Sequence, residues 1–462
     1  MFKKIMFSFL LVGFVFAGTP KVILITGTAL GIGKSTAEYL LNEGHIVYGG
    51  DILVEENLYL NDIGGIALEM DVTNQEHIDI AVQQIINEHG RIDVLVNNAG
   101  LGVYGAIEEV SMEDAYYQYE VNLFGLARVT KSVLPHMRER KSGTIINISS
   151  VLGETYGPLA GWYLSTKHAL EGWSDALRVE LKEFDIDVVI VQPGAINTNF
   201  FNVSRSYLDK YKQGSNYSHL YGEPVADSEN SVLSNQSEPI VIAKVINKAI
   251  NAKNPKTRYS AGAYSKLGIF LRRIMTDKMF DRFILFINWF KKKEIDMFKK
   301  FIISILLAGS VFAADKQKVI LITGTAHGIG KSTAQYLIDK GHIVYGGDIL
   351  VEENLYLNDI GGIALEMDVT KQDHIDNAIN QIIAEQGRID VLVNNAGIAV
   401  GSAIEDVSME DAMYQFEVNL FGIGKTVKAV LPHMRSQGSG TIINISSVLG
   451  KAYNPLYGWY VS

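Results

Sequence analysis

The chain is written almost twice over. Residues Gly44 to Thr73 recur letter for letter as Gly341 to Thr370. Thr26, Asp51, Asn122 and Tyr163 recur as Thr323, Asp348, Asn419 and Tyr460 at the same offset of 297 residues. A stretch present twice must fold twice by the same rules, so the 462 residues divide by the repeat and not by an average domain length. Identity that runs through exposed loop positions marks a recent duplication and says nothing about which residues function requires. The second unit opens on its own Met297, and the sequence stops at Ser462, two residues past Tyr460. The expected division is a leader at 1–17, a complete unit at 18–296, an internal leader at 297–314 and a truncated unit at 315–462. Two adjacent genes fused in frame, or joined only on paper, would produce it.

Lys3 and Lys4 precede an apolar run from Ile5 to Phe16, and Val15, Phe16 and Ala17 form a small-residue cleavage pattern, as in an export signal. The other reading is an apolar extension packed on the fold or on a membrane surface, so the protein is expected to be either cytoplasmic or exported. The run is shorter than the roughly 20 residues that span a bilayer. The same holds for Phe301 to Ala314, which lies in mid-chain.

Composition narrows the class. With 47% hydrophobic and 20% charged residues and 43 glycines, the chain suits a globular protein with many tight turns. The net charge of -10 argues against electrostatic capture of nucleic acid. The absence of cysteine removes disulfides, thiolate metal sites and cysteine nucleophiles, and no metal site is expected.

Within the first unit strands and helices alternate. Lys21 to Thr26 is a continuous β-branched apolar run, as in a strand buried on both faces. Lys34 to Asn42 reads as a helix closed by Gly44. Further strands are expected at His45–Gly50, Gly65–Met70, Ile92–Asn97, Thr144–Ser149, Asp187–Gln192 and Arg258–Ala261. Thr73 to Glu76 reads as a capping box opening a helix. This alternation predicts an α/β fold with a doubly wound parallel sheet in the order 3-2-1-4-5-6-7, followed by a truncated second copy. From Thr198 to Glu238 the regular pattern lapses, which predicts an irregular lid. Leu267 to Phe290 is apolar but punctuated by Arg272, Arg273, Lys278 and Arg282. It reads either as a membrane-surface contact or as a C-terminal helix closing the cleft or meeting another subunit.

The chemistry-bearing residues sit where such a sheet binds ligands. Gly27, Gly31, Ile32 and Gly33 lie between the first strand and its helix, where glycines let the backbone turn tightly against a pyrophosphate. Asp51 ends the second strand, placed to accept hydrogen bonds from adenosine ribose hydroxyls and to repel a 2′-phosphate. Ile52 follows it instead of an arginine, so NAD is favoured, with NADP as the alternative. Asp71 and Val72 end the third strand, toward the adenine. Asn98, Ala99 and Gly100 end the fourth, where small side chains let a cofactor pass close. Asn122 interrupts the apolar helix VNLFGLA, and asparagine there suggests a local distortion. Ser150 offers a hydroxyl to a carbonyl oxygen. Tyr163 and Lys167, one helical turn apart, share a face on which the cation can help ionise the phenol.

TGxxxGxG, the aspartate after the second strand, NNAG, the helical asparagine, the serine and YxxxK fall in the order and spacing of the short-chain dehydrogenase/reductase family. The resemblance covers about Lys21 to Phe290 fully and Lys318 to Tyr460 in part. GHIVYGG and the C-terminal RY…LRRI…FDRF further resemble its hydroxysteroid- and retinol-dehydrogenase-like branch. The family implies that Tyr163 is the catalytic acid/base, that Lys167 holds the nicotinamide ribose and favours the phenolate, and that Ser150 stabilises the substrate oxygen. It implies that Asn122 anchors a water leading from Lys167. Pro193, Gly194 and Thr198 resemble the loop that holds the nicotinamide carboxamide. In the second copy Gly324, Gly328, Gly330, Asp348, Asp368 and Asn395 match the cofactor-binding positions. That copy has no counterpart of Lys167 in the sequence given, and is expected to be inactive and unstable alone.

The expected reaction interconverts an alcohol with a ketone or aldehyde. Phe200, Phe201, Tyr207, Tyr211 and Tyr217 suggest an apolar substrate such as a steroid, retinoid or acyl chain. Relatives pair through the helices after Asn122 and around Tyr163, which implies a homodimer or homotetramer. Three other readings compete. TALGIGKS from Thr28 misses the phosphate-loop pattern GxxxxGK[ST] only at its first position. A sugar-nucleotide epimerase uses the same Ser-Tyr-Lys set, but with differently spaced glycines. A non-catalytic binding module is credible for the second unit.

Overall fold

The structure is a computed structural model, and it describes residues 19–221, 236–290 and 317–462. The leaders at 1–17 and 297–314 lie outside the described residues, and so do residues 222–235 of the stretch before Glu238. In the first unit the strands are β1 (Val22–Thr26), β2 (Ile46–Asp51), β3 (Ile66–Glu69), β4 (Val94–Asn97), β5 (Gly143–Ile148), β6 (Ile186–Pro193) and β7 (Arg258–Ala261). They form one sheet in the order β3-β2-β1-β4-β5-β6-β7, and every pairing is parallel. Helices α1 (Gly31–Asn42), α2 (Gln75–His89), α3 (Met112–Tyr119), α4 (Leu126–Arg140), α5 (Gly161–Glu180), α6 (Phe200–Lys212), α7 (Ile240–Ile250), α8 (Ser265–Ile274) and α9 (Asp277–Phe290) flank it, with two single-turn helices after β2. The five residues of β1 are all buried, as a strand covered on both faces requires.

Alternate side chains of β1 enter different cores. Ile23 and Ile25 pack with α1 and α7 residues, whereas Val22 and Leu24 pack with residues of α2, α4 and α5. The sheet therefore has a helical layer on each side.

Three local expectations are corrected. The N-cap of α2 is Asn74 rather than Thr73: the Asn74 side chain accepts from the amides of Glu76 and His77. The Thr73 hydroxyl instead donates to Asp71. The expected irregular lid begins as the 13-residue helix α6. Phe200, Ser204, Tyr207 and Tyr211 recur at helical spacing on its inner face. Tyr207 and Tyr211 pack against the core, which stabilises a helix whose polar composition disguises it. The stretch from Leu267 is two helices rather than one. Among the described residues, no helix is long and apolar enough to cross a membrane.

The second unit repeats the plan with β8 (Val319–Thr323), β9 (Ile343–Asp348), β10 (Ile363–Glu366), β11 (Val391–Asn394) and β12 (Thr441–Asn444), in the order β10-β9-β8-β11-β12. It docks on the face made by α3, α4 and α5. One hydrophobic cluster contains Tyr119, Phe124, Trp162 and Trp173 together with Phe416, Phe421 and Trp459. The contacts come in pairs related by the repeat offset, as around a two-fold axis. Trp162 stacks on Phe421 at 5.9 Å and Trp459 lies against Phe124 at 6.2 Å. Arg138 pairs with Glu405, and Arg435 with Glu108. Lys131 donates to the carbonyl of Val407, and Lys428 to that of Val110.

Replacing the buried Phe421 by aspartate is expected to release the second unit from this face. Removing a buried aromatic costs about 3–5 kcal/mol before the charge is counted. A larger radius of gyration in solution scattering would show the release, and an unchanged radius would refute it.

Candidate active site

The loop after β1 is built by glycine. Gly27 has a φ of +74°, and a Cβ on Gly33 would lie 1.8 Å from the Gly27 carbonyl oxygen. Asn98 braces the loop, donating from its side chain to the carbonyls of Thr26 and Gly27. Leu30 precedes α1 and supplies no side-chain cap. The first amides of α1 therefore lack a side-chain acceptor, an arrangement suited to a phosphate.

Asp51 accepts from the amides of Ala29 and Leu53 at 2.8 and 2.9 Å, so it also shapes the loop it flanks. Asp71 accepts from the Thr73 amide and hydroxyl.

These groups line one cavity of about 560 Å³ that runs on to Ser150, Tyr163 and Lys167. Ile32, Val72, Ala99, Gly100, Pro193, Gly194 and Thr198 line it as well. Of the residues expected in the first unit, Gly33 and Asn122 stand behind the wall. Asn122 sits in a π-helical turn at Glu120–Gly125, which is the distortion its helix-breaking character suggested. Its side chain accepts from the Leu101 amide and donates to the Leu101 carbonyl and the Thr166 hydroxyl. It ties the π turn to the chain after β4.

Tyr163 and Lys167 are buried on one face of α5, with the ammonium 5.8 Å from the centre of the phenol ring. Burial pushes the phenol up to about 12, and the hydrogen bond from Ser150 only partly opposes it. Burial pushes the lysine down to about 8, against the nearby Glu171 carboxylate. In the protein alone, desolvation of both groups opposes the ionisation of the phenol expected from the lysine. Lys167 donates instead to the Ile148 carbonyl at 2.9 Å. Burial thus favours the neutral phenol, the state in which it can give a proton to a carbonyl oxygen.

Tyr104 and Glu171 had no motif to announce them, whereas Phe200 was among the expected lid aromatics. Tyr104 stacks on Tyr163 with centroids 5.6 Å apart, and Phe200 meets the same ring at 5.5 Å. Of the five lid aromatics expected to face substrate, Phe200 and Phe201 line the cavity. Tyr211 instead bonds to Asp114 and the Ser111 amide. Glu171, one turn beyond Lys167, is buried and accepts from Gln192 and Arg258, while Arg258 also pairs with Asp175. Its four-residue spacing from Lys167 was the available signal.

The second unit reproduces the loop. Gly324 and Gly328 have positive φ, and a Cβ on Gly330 would lie 2.0 Å from the Gly324 oxygen. Asn395 and Asp348 brace it as Asn98 and Asp51 do, and Asp368 accepts from Thr370.

A model of the family described as short chain dehydrogenase matches residues 21–208 and 318–462. The chain is 41% identical over 246 residues to a 3-ketodihydrosphingosine reductase of Bacteroides thetaiotaomicron, covering 53% of this chain and 88% of that one. It is 33% identical over 273 residues to an NADPH-dependent 3-dehydrocapnine reductase of Ornithobacterium rhinotracheale, covering 56% and 94%. Among solved structures, a short-chain dehydrogenase from Streptomyces avermitilis is 31% identical with a TM-score of 0.47, covering 55% of this chain and 91% of its own. With both repeats matched by the family model and the sheet and glycine loop of a dinucleotide-binding fold, the chain belongs to the short-chain dehydrogenase family of NAD(P)-dependent oxidoreductases.

Proposed function

We propose that the first unit reduces an apolar ketone to a secondary alcohol, and runs the reverse reaction, with Tyr163 as the proton donor or acceptor. The observation that carries this is that one continuous cavity is lined by the phosphate-type loop and by Tyr163, Ser150 and Lys167. A bound nicotinamide would supply or accept the hydride. Its pyrophosphate suits the glycine loop, where a side chain would leave no space, and the uncapped amides of α1. Ser150 polarises the substrate oxygen. Tyr163 then transfers its proton to that oxygen, and Lys167 keeps a positive charge beside it. Tyr104, Phe200, Phe201 and Val203 give the substrate end an apolar wall. The two reductases named above carry 3-ketodihydrosphingosine and 3-dehydrocapnine in their names, which supports a carbonyl substrate, and the apolar wall favours one with a long chain.

NAD is the proposed cofactor, because Asp51 and Ile52 line the cavity at the end of β2 and, among the described residues that line it, Lys167 is the one cation. The test is a panel of ketones and secondary alcohols of increasing chain length, with each cofactor, followed by nicotinamide absorbance. Activity that does not rise with chain length would overturn the substrate class, and a lower KM for NADPH than for NADH would overturn the cofactor preference.

The pH profile carries a separate prediction. The reductive direction needs a protonated Tyr163 and a charged Lys167. Reduction should therefore hold steady below about 8 and decline above it as the lysine discharges. Oxidation needs the phenolate, so its rate should rise with pH through neutrality. Rates in both directions on the same preparation would check the two signs.

A further inference from the structure

Beside the mouth of the cavity lies a surface that the reaction does not use. Tyr264 lines the cavity, and α8 begins at the next residue. The inner side of α8 is packed: Ile269 is buried, and a Cβ on Gly268 would meet Val151, another cavity residue. Its outer side carries Leu267, Phe270 and Ile274, each more than half exposed. Their spacing puts them on one stripe. Lys266 and Arg273 flank that stripe on the same arc. On α9, Met279 and Leu285 are exposed as well.

Charge says what would cover this face. Ser265 to Phe290 holds five cations, Lys266, Arg272, Arg273, Lys278 and Arg282, against Asp277 and Asp281, in a chain whose net charge is -10. Arg272 pairs with Asp277, and Arg273 with Glu154. Lys266, Lys278 and Arg282 are exposed. A local positive surplus around an apolar stripe, on an acidic protein, complements an anionic lipid surface and not a second copy of the same face.

We propose that α8 and α9 seat the first unit on an anionic membrane surface, with the cavity mouth at Tyr264 turned toward the lipid. Rooted in the apolar-ketone reading, this inference adds the phase from which substrate arrives. A long-chain ketone held in a bilayer would then pass into the apolar end of the cavity without crossing water.

The absence of cysteine allows a direct test. The full chain carrying Phe270→Cys, labelled with an environment-sensitive fluorophore, is mixed with vesicles of phosphatidylcholine alone or with phosphatidylglycerol. The expected result is a blue shift with the anionic vesicles, weaker in high salt, and little change with the neutral ones. Unchanged emission with anionic vesicles would overturn the proposal, even if the leaders bring the chain to the lipid. The triple variant Leu267→Ser, Phe270→Ser, Ile274→Ser changes only exposed side chains. It should lose about tenfold or more in vesicle partition while keeping its rate on a short water-soluble ketone. Partition equal to the parent's would overturn the docking. So would a dimer, seen without vesicles, that the triple variant dissociates, because the face would then belong to a second copy. If the parent reduced no ketone at all, the proposed reaction would fail, while the fluorophore would still decide the docking.

Discussion

Replacing Tyr163 by phenylalanine is expected to lower turnover by about 10²–10⁴-fold, the range contributed by a positioned acid or base. The ring would keep its contacts with Tyr104 and Phe200, so the cavity wall and nucleotide binding should survive. The hydroxyl is removed, and with it the transferable proton and the hydrogen bond with Ser150. Because burial holds the phenol near 12, a proton is available for reduction at any ordinary pH. Its loss should therefore be felt across the whole pH range and not at one end. Steady-state rates beside a fluorescence titration of nicotinamide binding would separate the two effects. Full activity would sink the assignment, and equal loss of binding and turnover would make Tyr163 a structural residue.

Substituting Gly33 by valine should abolish cofactor binding, with at least a roughly 10²-fold rise in the nucleotide KM, since displacements of an ångström in a site can cost that much. Even the first carbon of the new side chain would lie 1.8 Å from the Gly27 carbonyl oxygen and 2.6 Å from the Asn98 side chain. The loop would have to move, and with it the brace from Asn98. The equivalent change at Gly330 probes the second unit independently, because its loop has the same geometry. If nucleotide binding in the full chain fell only with the first substitution, the second loop would contribute nothing measurable. A Gly33→Val protein that still bound nucleotide as the parent does would refute the placement of the phosphate site.

Much of the candidate site was legible because it depends on short-range rules. The glycine loop follows from backbone sterics, and strand-end residues such as Asp51 and Asn98 are placed by period and polarity alone. Asn122 announced a helical distortion through its poor fit to a helix. Elements whose stability is tertiary were harder. Helix α6 reads as irregular because its polar residues hide an inner face that acquires meaning only against the core. The N-cap of α2 went to Asn74 because Asp71 takes the Thr73 hydroxyl. Tyr104 and Phe200 reach the Tyr163 ring from a loop and a helix whose approach no local pattern encodes.

The order of residues alone determined two units, a parallel sheet and the positions of Tyr163, Lys167 and Ser150, because periodicity and spacing act within a few residues. Only the folded chain decided the burial of that pair and the seat of the second unit on α3, α4 and α5. Both depend on how much water is removed from a group, and that is a property of everything packed around it, near or distant along the chain.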